Sequence, residues 1–293
     1  MLLMTAVAAG IIGARADAQN LFVSDYWADS IYYFTPDGVR NTLATGLAGP
    51  GGIAFDNTGN LFVADRDSGN IYKYTPNGVR STFASGVPHI WGIAFDKAGN
   101  LYAADSGVGV PGDGSVFKWT ANGQRSTFAS GLYAPSVLAF DSADNLYVSN
   151  DGINIFTDTI LKFTFGGARS TFATGLFNTT GMAFDSAGNL FVQDAYSGSS
   201  IYKITPGGVR TTFAPYYGIS LGFDSAGRLL QGDDYGNIYQ ISPQGTRTLY
   251  ASGLARPSFF ALQVPEPSAC LILCLGSVVL FGGLRRRDEA DDD

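Results

Sequence analysis

One unit of about forty residues returns six times in this chain, beginning at Asn20, Asn60, Asn100, Asn145, Asn189 and Arg228. The unit reads most clearly from Asn60 to Gly99, NLFVADRDSGNIYKYTPNGVRSTFASGVPHIWGIAFDKAG. It holds four short runs of β-branched, aromatic and small residues: Leu61–Ala64, Ile71–Tyr74, Ser81–Ala84 and Gly92–Phe95. Each run is bounded by turn residues and reads as a strand. One small four-stranded sheet cannot bury both of its faces, so neighbouring copies must stack. The period and the strand count together predict an all-β chain, a six-bladed β-propeller over residues 19–264.

The turns carry their own chemistry. Asp56-Asn57-Thr58-Gly59 and the copies at Asp96, Asp141, Asp185 and Asp224 fit tight hairpins in which the carboxylate receives backbone N–H groups. The repeat is also out of phase with the chain. Its first strand-like run is Leu21–Val23, and its last, Ser258–Leu262, matches Gly52–Phe55. One blade is therefore expected to combine strands from both ends, which hides the two sheet edges of an open ring.

The charge balance excludes nucleic acid as a partner. The chain has a net charge of −7, and residues 19–264 hold 18 aspartates, no glutamate and 14 lysines plus arginines. No basic stripe is available to neutralise phosphates. Both cysteines, Cys270 and Cys274, lie beyond the repeats, so no disulfide staples the ring.

The two ends read as addresses. Leu2–Ile12 is apolar, and Ala16-Asp17-Ala18 offers small residues where a signal peptidase cuts, so residues 1–18 are expected to be a signal peptide. At the other end, Ala269–Leu284 carries no charge and Arg285-Arg286-Arg287 follows. Sixteen helical residues reach about 24 Å, short of a bilayer core of about 30 Å, so a transmembrane helix over 269–284 needs snorkelling arginines or local thinning. The arginines would stay cytoplasmic and the repeats outside.

Pro265-Glu266-Pro267, the apolar span and the arginine cluster together resemble the PEP-CTERM sorting signal of Gram-negative bacteria. An acidic hexapeptide, Asp288–Asp293, follows where such signals stop. The resemblance implies export, an exosortase-type sorting enzyme as partner, and a final place at the cell surface or in a polysaccharide-rich extracellular matrix. The alternative for residues 265–293 is a permanent membrane anchor.

Gly52–Asp56 followed by Asn60–Asp65, and their copies, resemble the NHL-repeat and gluconolactonase-like propellers. That resemblance implies the six-bladed fold but not one function, since these propellers include enzymes, scaffolds and binders. Gluconolactonase-type members hold a divalent metal at the axis with Asn or Asp. The matching positions here are Gly51, Trp91, Ser136, Thr180, Ile219 and Ser258, none of which suits a hard cation. No metal or cofactor is expected, and no catalytic residue is assigned. His89, the only histidine, is either a loop residue or the lone general base of a lyase. Asp25, Asp65, Asp105, Asn150, Asp194 and Asp233 recur as a ring that either lines an anionic funnel or forms local Asx turns. Arg40, Arg80, Arg125, Arg169, Arg210 and Arg247 recur in every copy and read as blade packing.

Differences between copies mark the candidate binding face. Insertions at Ser106–Ser115 and Asp151–Thr159 fall between the same two strands of blades three and four. Their face gathers Trp27, His89, Trp91, Tyr133, Phe156, Phe177, Tyr196 and Tyr217, with Tyr26 and Tyr235 beside them. Aromatic rings among Asp and Asn suit a glycan or a protein surface. A binding or scaffold module is the leading expectation; a hydrolase or lyase acting on a lactone or glycan is the alternative.

Overall fold

The computed structural model describes residues 19–151, 158–195, 199–224 and 226–263. The expected signal peptide, Phe156, Tyr196 and the tail from residue 264, with Pro265, Glu266, Pro267 and Arg285 to Arg287, lie outside them. No helix among the described residues is long and apolar enough to cross a membrane.

The described residues form twenty-four strands in six four-stranded antiparallel sheets. Blade one begins with β1 (Leu21–Asp25), β2 (Ser30–Phe34) and β3 (Arg40–Ala44). Blade two is β4 (Pro50–Phe55), β5 (Leu61–Asp65), β6 (Asn70–Tyr74) and β7 (Arg80–Ala84). Blade three is β8 (Ile90–Phe95), β9 (Leu101–Asp105), β10 (Gly114–Trp119) and β11 (Arg125–Leu132). Blade four is β12 (Leu138–Phe140), β13 (Leu146–Asn150), β14 (Asp158–Phe163) and β15 (Arg169–Leu176). Blade five is β16 (Thr179–Phe184), β17 (Leu190–Asp194), β18 (Ser200–Ile204) and β19 (Arg210–Ala214). Blade six is β20 (Ser220–Phe223), β21 (Leu229–Gly232), β22 (Ile238–Ile241) and β23 (Arg247–Ala251). The last strand, β24 (Pro257–Leu262), returns to blade one and pairs antiparallel with β1, Leu21 opposite Leu262 and Val23 opposite Phe260. The ring closes as the repeat phase predicts, and Asn20 donates its side-chain amide to Gln263 at 3.0 Å across the join.

Because strand direction alternates, each blade sends two loops to each face. The loops after the second and fourth strands make the upper face, which carries both insertions; the other two types make the lower face. Inner strands crowd the axis, and glycine lets them. A Cβ at Gly52 would lie 2.5 Å from the Ile93 nitrogen, and one at Gly181 would lie 2.7 Å from the Leu221 nitrogen.

The core lies between blades rather than within them. At four of the six junctions the aromatic residue of a second strand sits between two phenylalanines. Phe62 meets Phe83 of its own outer strand and Phe95 of the next inner strand, both at 5.0 Å and edge-on. Tyr102, Tyr147 and Phe191 repeat the arrangement. Such pairs add about 0.5–1.5 kcal/mol each beyond area burial. A lysine covers each of these rings from the lower edge: Lys73, Lys118, Lys162 and Lys203, at 5.0–5.5 Å. The same ammonium groups lie 3.7–3.9 Å from the turn carboxylates Asp56, Asp96, Asp141 and Asp185.

The recurrent arginines open the outer strands and serve packing, as their repetition implies. Arg40 lies over Tyr32 and donates to the Gly253 carbonyl of blade six at 2.6 Å. Arg210 lies over Tyr202 and donates to the Thr174 and Gly175 carbonyls of blade four. One junction departs from the apolar rule. Between blades five and six, fully buried Gln193 and Gln231 meet where other junctions place Gly, Ala, Ser or Val. Gln231 donates to Gln193 Oε1 at 2.5 Å, and its own Oε1 has no partner.

Candidate functional site

Four of the six ring residues have a different role from either one expected. Asp65 accepts the Ala48 N–H at 2.6 Å, and Asp25 accepts those of Ala255 and Arg256 at 2.7 and 2.6 Å. Asn150 and Asp194 do the same for Tyr133 and Phe177, at 3.0 and 3.2 Å. These four side chains clamp the loop entering their own blade's inner strand, so they are not local turns. Only Asp105 and Asp233 make local Asx bonds, to Gly107 in one case and to Tyr235 and Asn237 in the other. Asp25 and Asp65 are buried, and their charge is spent on backbone N–H groups rather than on a funnel.

The upper-face loops of blades six, one and two, with Trp91 of blade three, assemble a continuous arc. Trp91, at the start of β8, lies 5.3 Å from the ring of Tyr26 and 6.2 Å from that of Phe259. Arg66 lies over Trp91 at 5.2 Å, meets the Tyr26 hydroxyl at 3.1 Å and pairs with Asp67 at 3.4 Å. Arg256 lies over Tyr26 and Trp27, at 5.6 and 5.3 Å, and pairs with Asp234 at 3.1 Å. The Tyr217 hydroxyl donates to the other oxygen of Asp234. Burial first, and the Asp234 carboxylate second, push the Tyr217 phenol up to about 12, so it stays protonated. The outward rings are Trp27, 62% exposed, Tyr235, 84%, and Tyr217, 37%.

Of the expected site residues, the structure thus brings together Trp27, Trp91 and Tyr217. His89, Tyr133 and Phe177 stand elsewhere on the same face, in the loops entering the inner strands of blades three, four and five. His89 occupies the turn position that Gly49 holds in blade two, and both have φ near +65°. Its carbonyl accepts from Ser106 N–H and Oγ, both at 3.2 Å. The first insertion is organised by Asp113, which accepts the Val108 and Val110 N–H groups and leaves both valines exposed. The arc ends at Trp91, two residues from His89, whose carbonyl holds the start of the first insertion.

At the axis the matching family positions offer no oxygen cage. The hydroxyls of Ser136, Thr180 and Ser258 are committed to Ser149 Oγ, the Gly218 carbonyl and the Arg256 carbonyl. Beneath them is a cavity of about 90 Å³ ringed by Ile53, Ile93, Leu138, Met182, Leu221 and Phe260. That is smaller than the roughly 150 Å³ that takes even a benzene ring. Among the described residues, no group of three or more His, Cys, Asp or Glu side chains is placed to hold a metal ion.

Sequence reading missed Arg66, Asp67, Asp234 and Arg256. The signal was there in the alignment of the repeats. After Asp25, Asp65, Asp105 and Asp233 the next two positions read Tyr26-Trp27, Arg66-Asp67, Ser106-Gly107 and Asp234-Tyr235, varying while their surroundings repeat; Arg256 stands outside this pattern.

Comparison with protein-family models and with curated proteins returns no match. Solved structures do match. A chain of a nidogen/laminin complex aligns with a TM-score of 0.72 at 16% identity, covering 84% of this chain and 98% of that one. A gluconolactonase of Xanthomonas campestris aligns at 0.65 and 14% identity, covering 84% and 88%. Virginiamycin B lyase of Staphylococcus aureus aligns at 0.61 and 17% identity, covering 84% and 92%. One architecture thus serves very different proteins, and at these identities the likeness concerns the fold: the chain is a six-bladed β-propeller similar to the gluconolactonase-like propellers.

Proposed function

We propose that the chain is an exported, non-catalytic binding module whose upper-face arc holds a neutral polysaccharide of the extracellular matrix. The supporting observation is that Trp27, Tyr217 and Tyr235 face outward while both arginines of the arc are paired within it, to Asp67 and Asp234. Rings offer stacking surface, and paired charges leave no net attraction for an ionic ligand. The tail supports the address: its PEP-CTERM-like order of Pro265-Glu266-Pro267, apolar span and arginines suits export and sorting to the envelope by an exosortase-type enzyme. Binding of the purified protein to its own organism's matrix polysaccharide tests the reading. Binding should survive a rise to 1 M salt and be lost in the Trp27→Ala, Tyr235→Ala double variant. Binding that collapses with salt, or that ignores both substitutions, overturns it.

A second reading, a hydrolase or lyase acting on a lactone or glycan, draws on the likeness to a gluconolactonase and a lyase and on His89. His89 shares its turn position with Tyr217 and Arg256 on the upper face. Turnover of a lactone or glycan that is lost in His89→Ala would favour it.

A further inference from the structure

We infer a second ligand site on the lower face, between blades five and six, that takes a single aromatic ring bearing a carboxylate. A cavity of about 220 Å³ lies there. The repeat supplies its own control, because the same place between blades three and four holds only about 10 Å³. The walls correspond position by position, and four substitutions account for the difference. Phe191 stands for Tyr102, whose hydroxyl reaches Asp96 at 3.3 Å. Ile241 stands for Phe163, Pro243 for Phe165 and Gly227 for Asp144. Between blades three and four the mouth is also tied shut. Asp144 accepts the Lys97 N–H at 3.2 Å, and Lys97 Nζ donates to the Ser142 carbonyl at 2.6 Å. Here Gly227 removes the carboxylate acceptor of the first tie and Ser186, in place of Lys97, removes the donor of the second, so neither tie exists.

The walls define the ligand. Phe191, Phe213 and Phe223 form three aromatic sides, with ring separations of 4.9 and 5.2 Å, above buried Leu229 and Ile241. An apolar cavity of about 150 Å³ accommodates benzene, so this one fits a ring with one substituent. Lys203 stands at the mouth. Its acid partner, Asp185, is 3.8 Å away and already accepts the Ala187 and Asn189 N–H groups and the Asn189 amide. The Lys203 ammonium therefore keeps donor capacity for a carboxylate arriving from solvent. The site is separate from the upper-face arc, so neither reading depends on the other.

Titration of the full chain with benzoate, benzyl alcohol and benzylamine, followed by calorimetry and thermal shift, tests the site. Benzoate should saturate with a Kd of roughly 0.1–1 mM. Benzyl alcohol should bind several-fold more weakly, and benzylamine not at all. Ile241→Phe, which copies blade four, should abolish benzoate binding. Lys203→Gln should reduce benzoate to the level of the alcohol. Should Ile241→Phe fail to fold, Gly227→Asp closes the mouth instead; Asp144 holds the same turn with φ +60° against +73° at Gly227. No saturable benzoate binding at about 10 mM, equal binding of benzylamine, or benzoate binding that survives the filling variants overturns the inference.

Discussion

Asp25 Oδ2 accepts the backbone N–H of Ala255 at 2.7 Å, joining residues 230 positions apart at the closure of the ring. The carboxylate is fully buried, and its other oxygen holds the Arg256 N–H. Asp25→Ala leaves two buried donors without acceptors, which costs about 2–4 kcal/mol. In a body of this size the melting temperature should fall by roughly 5–15 °C. Asp25→Asn keeps one acceptor and should lose less. Calorimetry of both, beside the exposed control Asp37→Ala, checks the order.

Trp27 and Trp91 should separate binding from stability. Trp27 is exposed, so Trp27→Ala should alter stability by no more than about 0.5 kcal/mol while weakening polysaccharide binding about tenfold. Trp91 is half-buried among Tyr26, Phe259 and Arg66, and its truncation should cost on the order of 2 kcal/mol of stability. Equal thermal shifts for the two variants would contradict this division.

Asp151 predicts a pH dependence. Burial, reinforced by the nearby Asp158 carboxylate, raises its pKa from 3.8 to about 7. Between these values the unfolded chain ionises first, so this group's contribution to stability is full below about pH 4 and is lost as pH rises towards 7. Asp151→Asn should therefore be nearly silent at about pH 4 and raise the melting temperature by a few degrees at about pH 8. A gain at low pH instead would show that the carboxyl is not held protonated.

The Gln193–Gln231 pair should prove to hold more than itself. Replacing both with the residues of the junction between blades four and five, Gln193→Ser with Gln231→Val, removes the unpartnered Gln231 oxygen but also both amide donors of the Tyr216 carbonyl, at 3.1 and 3.2 Å. An acceptor left without a donor costs about 1–3 kcal/mol, so the double variant should be less stable by about that amount. Chemical denaturation showing no loss would contradict this.

The ring was legible because each blade repeats one packing solution. The hairpin aspartates, the outer-strand arginines and the split blade could all be placed from periodicity. The turn expectation holds for Asp105 and Asp233 but fails for the other four ring residues, because partners such as Asp65 and Ala48 are seventeen residues apart and a turn rule looks only at neighbours. For the same reason the arc was half-seen. Its aromatics stand out in composition, whereas Arg66 and Arg256 gain meaning only when closure sets blades six, one and two side by side.

The seat of β24 also decides how the molecule bears load. This strand is hydrogen-bonded on one side only, to β1, and its last residue, Leu262, stands opposite Leu21. A pull on the chain beyond Gln263 acts along β24, parallel to its length. The ladder is then loaded in shear, with its bonds strained together rather than parted one after another. Asp25 grips the trailing end of the same strand through Ala255 and Arg256, so the closure is set like a bolt across the direction of draw. Tension on the tail would meet its resistance in blade one before it reached the face opposite.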